Sequence, residues 1–129
     1  MTNLTNQHFA TAIVFGIYET IDSRHAEHLR KAATLCDILY VAVSCDEEVA
    51  ALFGNSRTPV ETRMKTVEAF CAHEGINARI IKQTLPWDAF LAGNTIDAYI
   101  LTTSQYQRFG QELERIIQTA RISSVIETI

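Results

Sequence analysis

The chain has 129 residues, 47% of them hydrophobic and 20% charged, with a formal net charge of −4. That size suits one domain over residues 1–129 with a substantial core, and the acidic balance argues against a nucleic-acid partner, which would need a basic face to displace counterions. No apolar run reaches a membrane span and the start lacks a signal-peptide pattern. Cys36, Cys45 and Cys71 have no metal-ligand spacing, so no membrane partner and a cytoplasmic location with reduced thiols are expected.

Residues 1–10 are polar and expected to be loosely held. Ala12 to Phe15 is apolar without alternation, the pattern of a strand buried on both faces. Asp22 can N-cap a helix running to about Leu35, with Leu29, Ala32, Ala33 and Cys36 as its apolar stripe. Ile38 to Val43 is a second strand. Glu47 to Phe53 is a short helix closed by Gly54. Thr58-Pro-Val-Glu61 opens another helix, with Thr58 as cap, Pro59 at the first helical position and Glu61 completing a capping box; it stops near Gly75.

Ala78 to Lys82 is a third strand. Pro86 opens a short helix through Leu91, ended by Gly93-Asn94, and Ile96 to Leu101 is a fourth strand. Ser104 and Gln107 form a capping box for a helix carrying Phe109, Leu113, Ile116 and Ile117, and Ser124 with Glu127 repeats the pattern, making the tail a short helix. Strands alternating with helices imply an α/β protein with a parallel sheet and right-handed crossovers.

The polar residues gather between Phe15 and Glu47, where a strand, a glycine turn, a helix opening on Asp, Arg and His, and a second strand ending in Ser44-Cys-Asp-Glu47 follow one another. Strand ends of that kind are where open parallel sheets bind phosphates. Gly16-Ile-Tyr-Glu19, Asp22-Ser-Arg-His25 and Ser44-Cys-Asp-Glu47 stand at the spacing of G-x-F-D, H-x-G-H and S-x-D-E. With Pro59-Val-Glu-Thr-Arg63 and Arg121-Ile-Ser-Ser124, nearly the whole chain resembles the small cytidylyltransferases of the nucleotidyltransferase superfamily, of the glycerol-3-phosphate cytidylyltransferase type.

The resemblance implies a Rossmann-like, doubly wound parallel sheet of about five strands with helices on both faces. It also implies a reaction in which a phosphorylated alcohol attacks the α-phosphorus of a nucleoside triphosphate, CTP in preference to ATP, with Mg2+ assisting and pyrophosphate leaving. On that pattern His25 and Arg63 would be catalytic. Gly16, Ile17, Tyr18, Asp22, Arg24, His28, Ser123 and Ser124 would bind the nucleotide, and the protein would form a homodimer.

The chain departs from the pattern at several positions. Asp22 stands at the first histidine, where a carboxylate repels a triphosphate, and Arg24 stands at the glycine, where its side chain can fill the ligand's space. Leu52 falls at a phosphate-binding lysine, Thr102-Thr-Ser-Gln105 replaces an acidic G-D-D-W-like stretch, and Val125 replaces a threonine. A second register, displaced by three residues, puts His25-Ala-Glu-His28 on H-x-G-H and keeps both histidines, with a shorter following helix. Two readings therefore stand: an active transferase, or a family member without catalysis that senses a nucleotide or anion or serves as an interaction scaffold. Asp22, His25 and His28 share i, i+3 spacing, but with no fourth ligand apparent a metal site is not expected.

Overall fold

The computed structural model describes residues 8–54, 58–84, 90, 96–119 and 125–129. Strand β1 (Phe9–Gly16) starts three residues earlier than the apolar run suggests, and its middle, Ala12, Ile13 and Val14, is completely buried. Helix α1 (Ser23–Ala33) leads to β2 (Cys36–Ser44), followed by α2 (Asp46–Phe53), α3 (Val60–Glu74) and β3 (Ala78–Gln83). Beyond these lie β4 (Ala98–Leu101), a short turn of helix α4 (Thr103–Gln105), a π-helical turn (Tyr106–Gly110), α5 (Gln111–Thr119) and β5 (Val125–Thr128).

The strands form one sheet in the order β3-β2-β1-β4-β5, with every neighbouring pair parallel. Ala12 of the central strand pairs with Leu39 on one side and Ala98 on the other. Successive strands therefore step outward from β1 toward β3, and the chain then crosses to the opposite side of β1 to lay down β4. The β1/β4 gap is the point where the winding reverses, and crevices form there at the carboxyl ends of strands.

Two apolar layers cover the sheet. Val14, Leu39, Val41 and Val43 meet Leu29 and Ala32 of α1 and Val67 and Cys71 of α3 on one face. Ile13, Phe15, Tyr99 and Leu101 meet Leu113, Ile116 and Ile117 of α5, together with Phe90, on the other. Each fully buried Leu, Ile or Val contributes about 1.5–3 kcal/mol relative to an exposed one, so the alternation of side chains along β1 holds both helical layers in place. Among the described residues no helix is long and apolar enough to cross a membrane.

Three local expectations are corrected. Pro59, not Thr58, occupies the cap position of α3, and no side chain caps it; the Thr58 carbonyl instead accepts a hydrogen bond from Arg63 Nε at 2.9 Å. The helix after β4 is capped by Thr102 with Gln105, two residues before the Ser104/Gln107 pair, because β4 ends at Leu101 and the chain turns at once. The tail is a strand, not a helix. Val125 N donates to Asp97 O at 3.0 Å and Ile129 N to Leu101 O at 2.9 Å, so pairing with the open edge of β4 overrides the local capping signal. The expected helix from Pro86 with Trp87, the Gly93-Asn94 stop and the Arg121-to-Ser124 loop lie outside the described residues, apart from Phe90, which is helical and buried.

Candidate functional site

A hollow of about 550 Å³ opens over the carboxyl ends of four adjacent strands. Gly16 of β1, Ser44 of β2, Gln83 of β3 and Thr102 just after β4 line it from below. Neighbouring strands lie about 4.8 Å apart, so the trough spans roughly 14 Å from Gln83 to Thr102. Its walls come from Ile17 and Tyr18, from Arg24, His25 and His28 at the start of α1, from Glu48 and Leu52 of α2, and from the segment Ser104–Phe109.

The turn after β1 sets the shape of the near wall. Tyr18 has φ 58°, a left-handed conformation that a bulky side chain adopts only under compulsion from its surroundings. Its ring folds back over Gly16, where an added Cβ would meet Tyr18 Cε2 at 2.5 Å. Gly16 is thus required by Tyr18. The ring is buried, stands 5.4 Å from the His25 ring, and burial raises its hydroxyl pKa far above the ordinary range. Among the described residues that hydroxyl has no hydrogen-bond partner.

Asp22 caps α1: its Oδ1 accepts from His25 N at 2.9 Å, and the His25 Nδ1 lies 3.1 Å from the same oxygen. The hydrogen bond from the His25 amide holds the Asp22 carboxyl below its usual range. This carboxylate is not among the described lining residues of the hollow, but it stands against His25, which is. Its place as an N-cap holds His25 Nδ1 beside Asp22, and His25 lines the hollow. His28 follows one turn later. Its Nε2 is buried without a hydrogen-bond partner among the described residues, and desolvation, then the neighbouring His25, lowers its pKa.

Arg63 is corrected most sharply. It is fully buried, and its guanidinium donates to Thr58 O, to Ile17 O at 2.8 Å and to Asp46 Oδ1 at 2.9 Å. A cation with no exposed surface and its donors directed inward does not meet a ligand's phosphate. It fastens the turn that carries Ile17 and Tyr18 to α2 and α3. The structure therefore brings Gly16, Ile17, Tyr18, Arg24, His25 and His28 together, moves Arg63 and Asp22 into support, and leaves Ser123 and Ser124 outside the described residues.

The far wall holds side chains that sequence reasoning did not select. Gln105 Nε2 donates to Phe15 O at 2.8 Å, closing the β1/β4 gap from above, and Arg108 and Phe109 follow on the π turn. At the other end Gln83, only 1% exposed, donates from Nε2 to Glu48 Oε2 at 3.3 Å. The strand ends Ser44, Gln83 and Thr102 were findable from the rule that ligands sit at the carboxyl ends of a parallel sheet. Arg108 carried no such signal, since its wall depends on a five-residue π turn. Leu52, at the position of the expected lysine, faces the hollow while 61% exposed.

Among the described residues no group of three or more His, Cys, Asp or Glu side chains could hold a metal ion. Glu48 is the carboxylate in the lining. This donor set does not build a resident Mg2+ cage, which takes oxygen ligands in octahedral array.

No protein-family model and no curated protein sequence matches the chain. Solved structures do match. A protein of unknown function from Archaeoglobus fulgidus superposes with a TM-score of 0.77 at 16% identity, covering 92% of this chain and 88% of that one. The lipopolysaccharide core biosynthesis protein from Thermoplasma volcanium GSS1 superposes with a TM-score of 0.79 at 17% identity, covering 94% of this chain and 96% of that one. At such identities the likeness is one of fold. The chain has an α/β, Rossmann-like fold built on a five-stranded parallel sheet.

Proposed function

We propose that the chain is a nucleotide-binding protein of the nucleotidyltransferase type. It takes a nucleoside triphosphate, CTP in preference to ATP, with the phosphates seated between β1 and β4. The observation that carries this reading is the convergence of Gly16, Arg24, His25 and His28 on one hollow at the winding reversal of the sheet. In the transfer reaction a phosphate oxygen of a phosphorylated alcohol bonds to the α-phosphorus as the bond to pyrophosphate breaks. His25, in the lining, stands as a donor for the charge growing on the equatorial oxygens. A magnesium ion in this reaction arrives on the triphosphate and belongs to the substrate. The neighbour from Thermoplasma volcanium is described as a biosynthesis protein, which supports an enzymatic reading and names no reaction.

A second reading, binding without turnover, is favoured by a specific observation: Arg63, which the resemblance makes a triphosphate contact, is enclosed in the protein. Pyrophosphate release measured over a panel of nucleotides and phosphorylated alcohols separates the two. Release with CTP establishes transfer. CTP binding by calorimetry with no release across the panel establishes the sensor, and absence of both removes the proposal. We place the protein in the cytoplasm as a homodimer, a state that sedimentation equilibrium reads directly; a monomer at all concentrations would remove that part.

A further inference from the structure

The hollow is flanked by two arginines from opposite layers of the molecule. Arg24 lies at the start of α1, in the layer that covers Val14 and Val41. Arg108 lies on the π turn that leads into α5, in the layer that covers Ile13 and Phe15. Both line the same cavity and both are exposed. Neither guanidinium makes an ion pair with a described carboxylate, whereas Arg30, Arg63, Lys82 and Arg115 each have one. The acid in the lining, Glu48, is bonded to Gln83 at the β3 end, away from β4. Among the described lining residues two arginines therefore stand on opposite walls, and the carboxylate is engaged at the β3 end, while Asp22, the neighbour of Arg24 at the start of α1, is not in the lining.

We propose that Arg24 and Arg108 form a two-sided guanidinium clamp for a phosphate-type anion over Gly16, with Arg108 as a ligand-binding residue of this site. The proposal rests on the reading that the hollow takes a nucleotide's phosphates, and it assigns which side chains grip them. A planar guanidinium offers paired donors matching two oxygens of one phosphate, and a clamp from two layers suits a ligand with adjacent phosphates. The clamp supplies by side chains the charge that a lysine at position 52 would supply, since Leu52 offers none.

The test is calorimetric titration of the full chain with inorganic pyrophosphate, and separately with CTP, at low salt with chelator. Arg24→Gln and Arg108→Gln are compared with the wild type, and thermal melts confirm that the exposed substitutions leave the fold intact. The expected result is a dissociation constant for pyrophosphate raised about tenfold or more in each variant. Pyrophosphate affinity should also fall steeply with added salt. No binding of pyrophosphate by the wild type, or an Arg108→Gln variant within twofold of it, overturns the clamp. CTP binding that persists while Arg108→Gln changes nothing leaves the nucleotide reading standing and removes the clamp. Pyrophosphate binding weakened in both variants with no CTP binding does the reverse.

Discussion

Arg63 shows how one side chain that looks like a ligand contact becomes a structural tie. Its guanidinium has carbonyls from Thr58 and Ile17 and the Asp46 carboxylate around it, and it is fully buried. Arg63→Met removes the charge and leaves two carbonyls facing apolar atoms, so stability should fall by about 3 kcal/mol in urea unfolding. A loss under 1 kcal/mol would show that the guanidinium is not the tie described. His28 gives a second residue-scale expectation, on pH. Its folded pKa lies below the ordinary value of about 6.5, because burial and His25 disfavour its charged form. The unfolded chain then binds the proton first. The stability His28 contributes is complete above pH 6.5 and is lost as pH falls through its folded pKa. His28→Asn should flatten the stability profile below about pH 6.5 relative to wild type. An unchanged profile in the variant would remove the argument.

The segment after β4 decides how well the crevice is closed. Thr102 and Gln105 form a reciprocal box: Gln105 N donates to Thr102 Oγ1 at 3.1 Å, and Thr102 N donates to Gln105 Oε1 at 3.0 Å. With its Oε1 so engaged, Gln105 turns its amide nitrogen to Phe15 O, which belongs to β1. One side chain therefore caps a helix and links the two strands at the winding reversal. Thr102→Ala should cost about 1 kcal/mol of stability, the ordinary cost of a lost cap, and weaken CTP binding more than a distant substitution of equal cost. A binding constant that tracks stability alone would deny the link. Legibility differed by element for clear physical reasons. The helix from Asp22 was readable, because cap and apolar stripe agree on it. The tail was not, because Ser124 and Glu127 satisfy a local helix rule while the unpaired edge of β4, remote in sequence, needs backbone partners. The same remoteness hid Arg108, which lines the hollow because of the layer that α5 occupies and not because of neighbouring residues.

At the scale of the molecule, alternation of strands and helices was enough to foresee a parallel sheet, and the unbroken apolar run of β1 foretold a strand covered on both faces. What alternation does not encode is the strand order, and the order is what puts the trough between β1 and β4. The protein carries a net charge of −4, with Asp46, Glu47 and Glu48 at the start of α2, yet Arg24 and Arg108 line the trough. An anion entering there is repelled by the whole and attracted by the site, so binding depends on local contacts and not on a general field. Such a ligand touches both helical layers, the α1 side through Arg24 and the α5 side through Arg108. It favours only the folded arrangement in which those layers face each other. By mass action CTP at 100 times its dissociation constant adds about 2.7 kcal/mol to unfolding. For a chain of this size that raises the thermal midpoint by roughly 10 °C. Differential scanning calorimetry with CTP should show a shift that grows with the logarithm of ligand concentration, is smaller with ATP at the same concentration, and shrinks in Arg24→Gln. A midpoint that stays fixed at millimolar CTP would mean that the trough, whatever its shape, does not take the nucleotide.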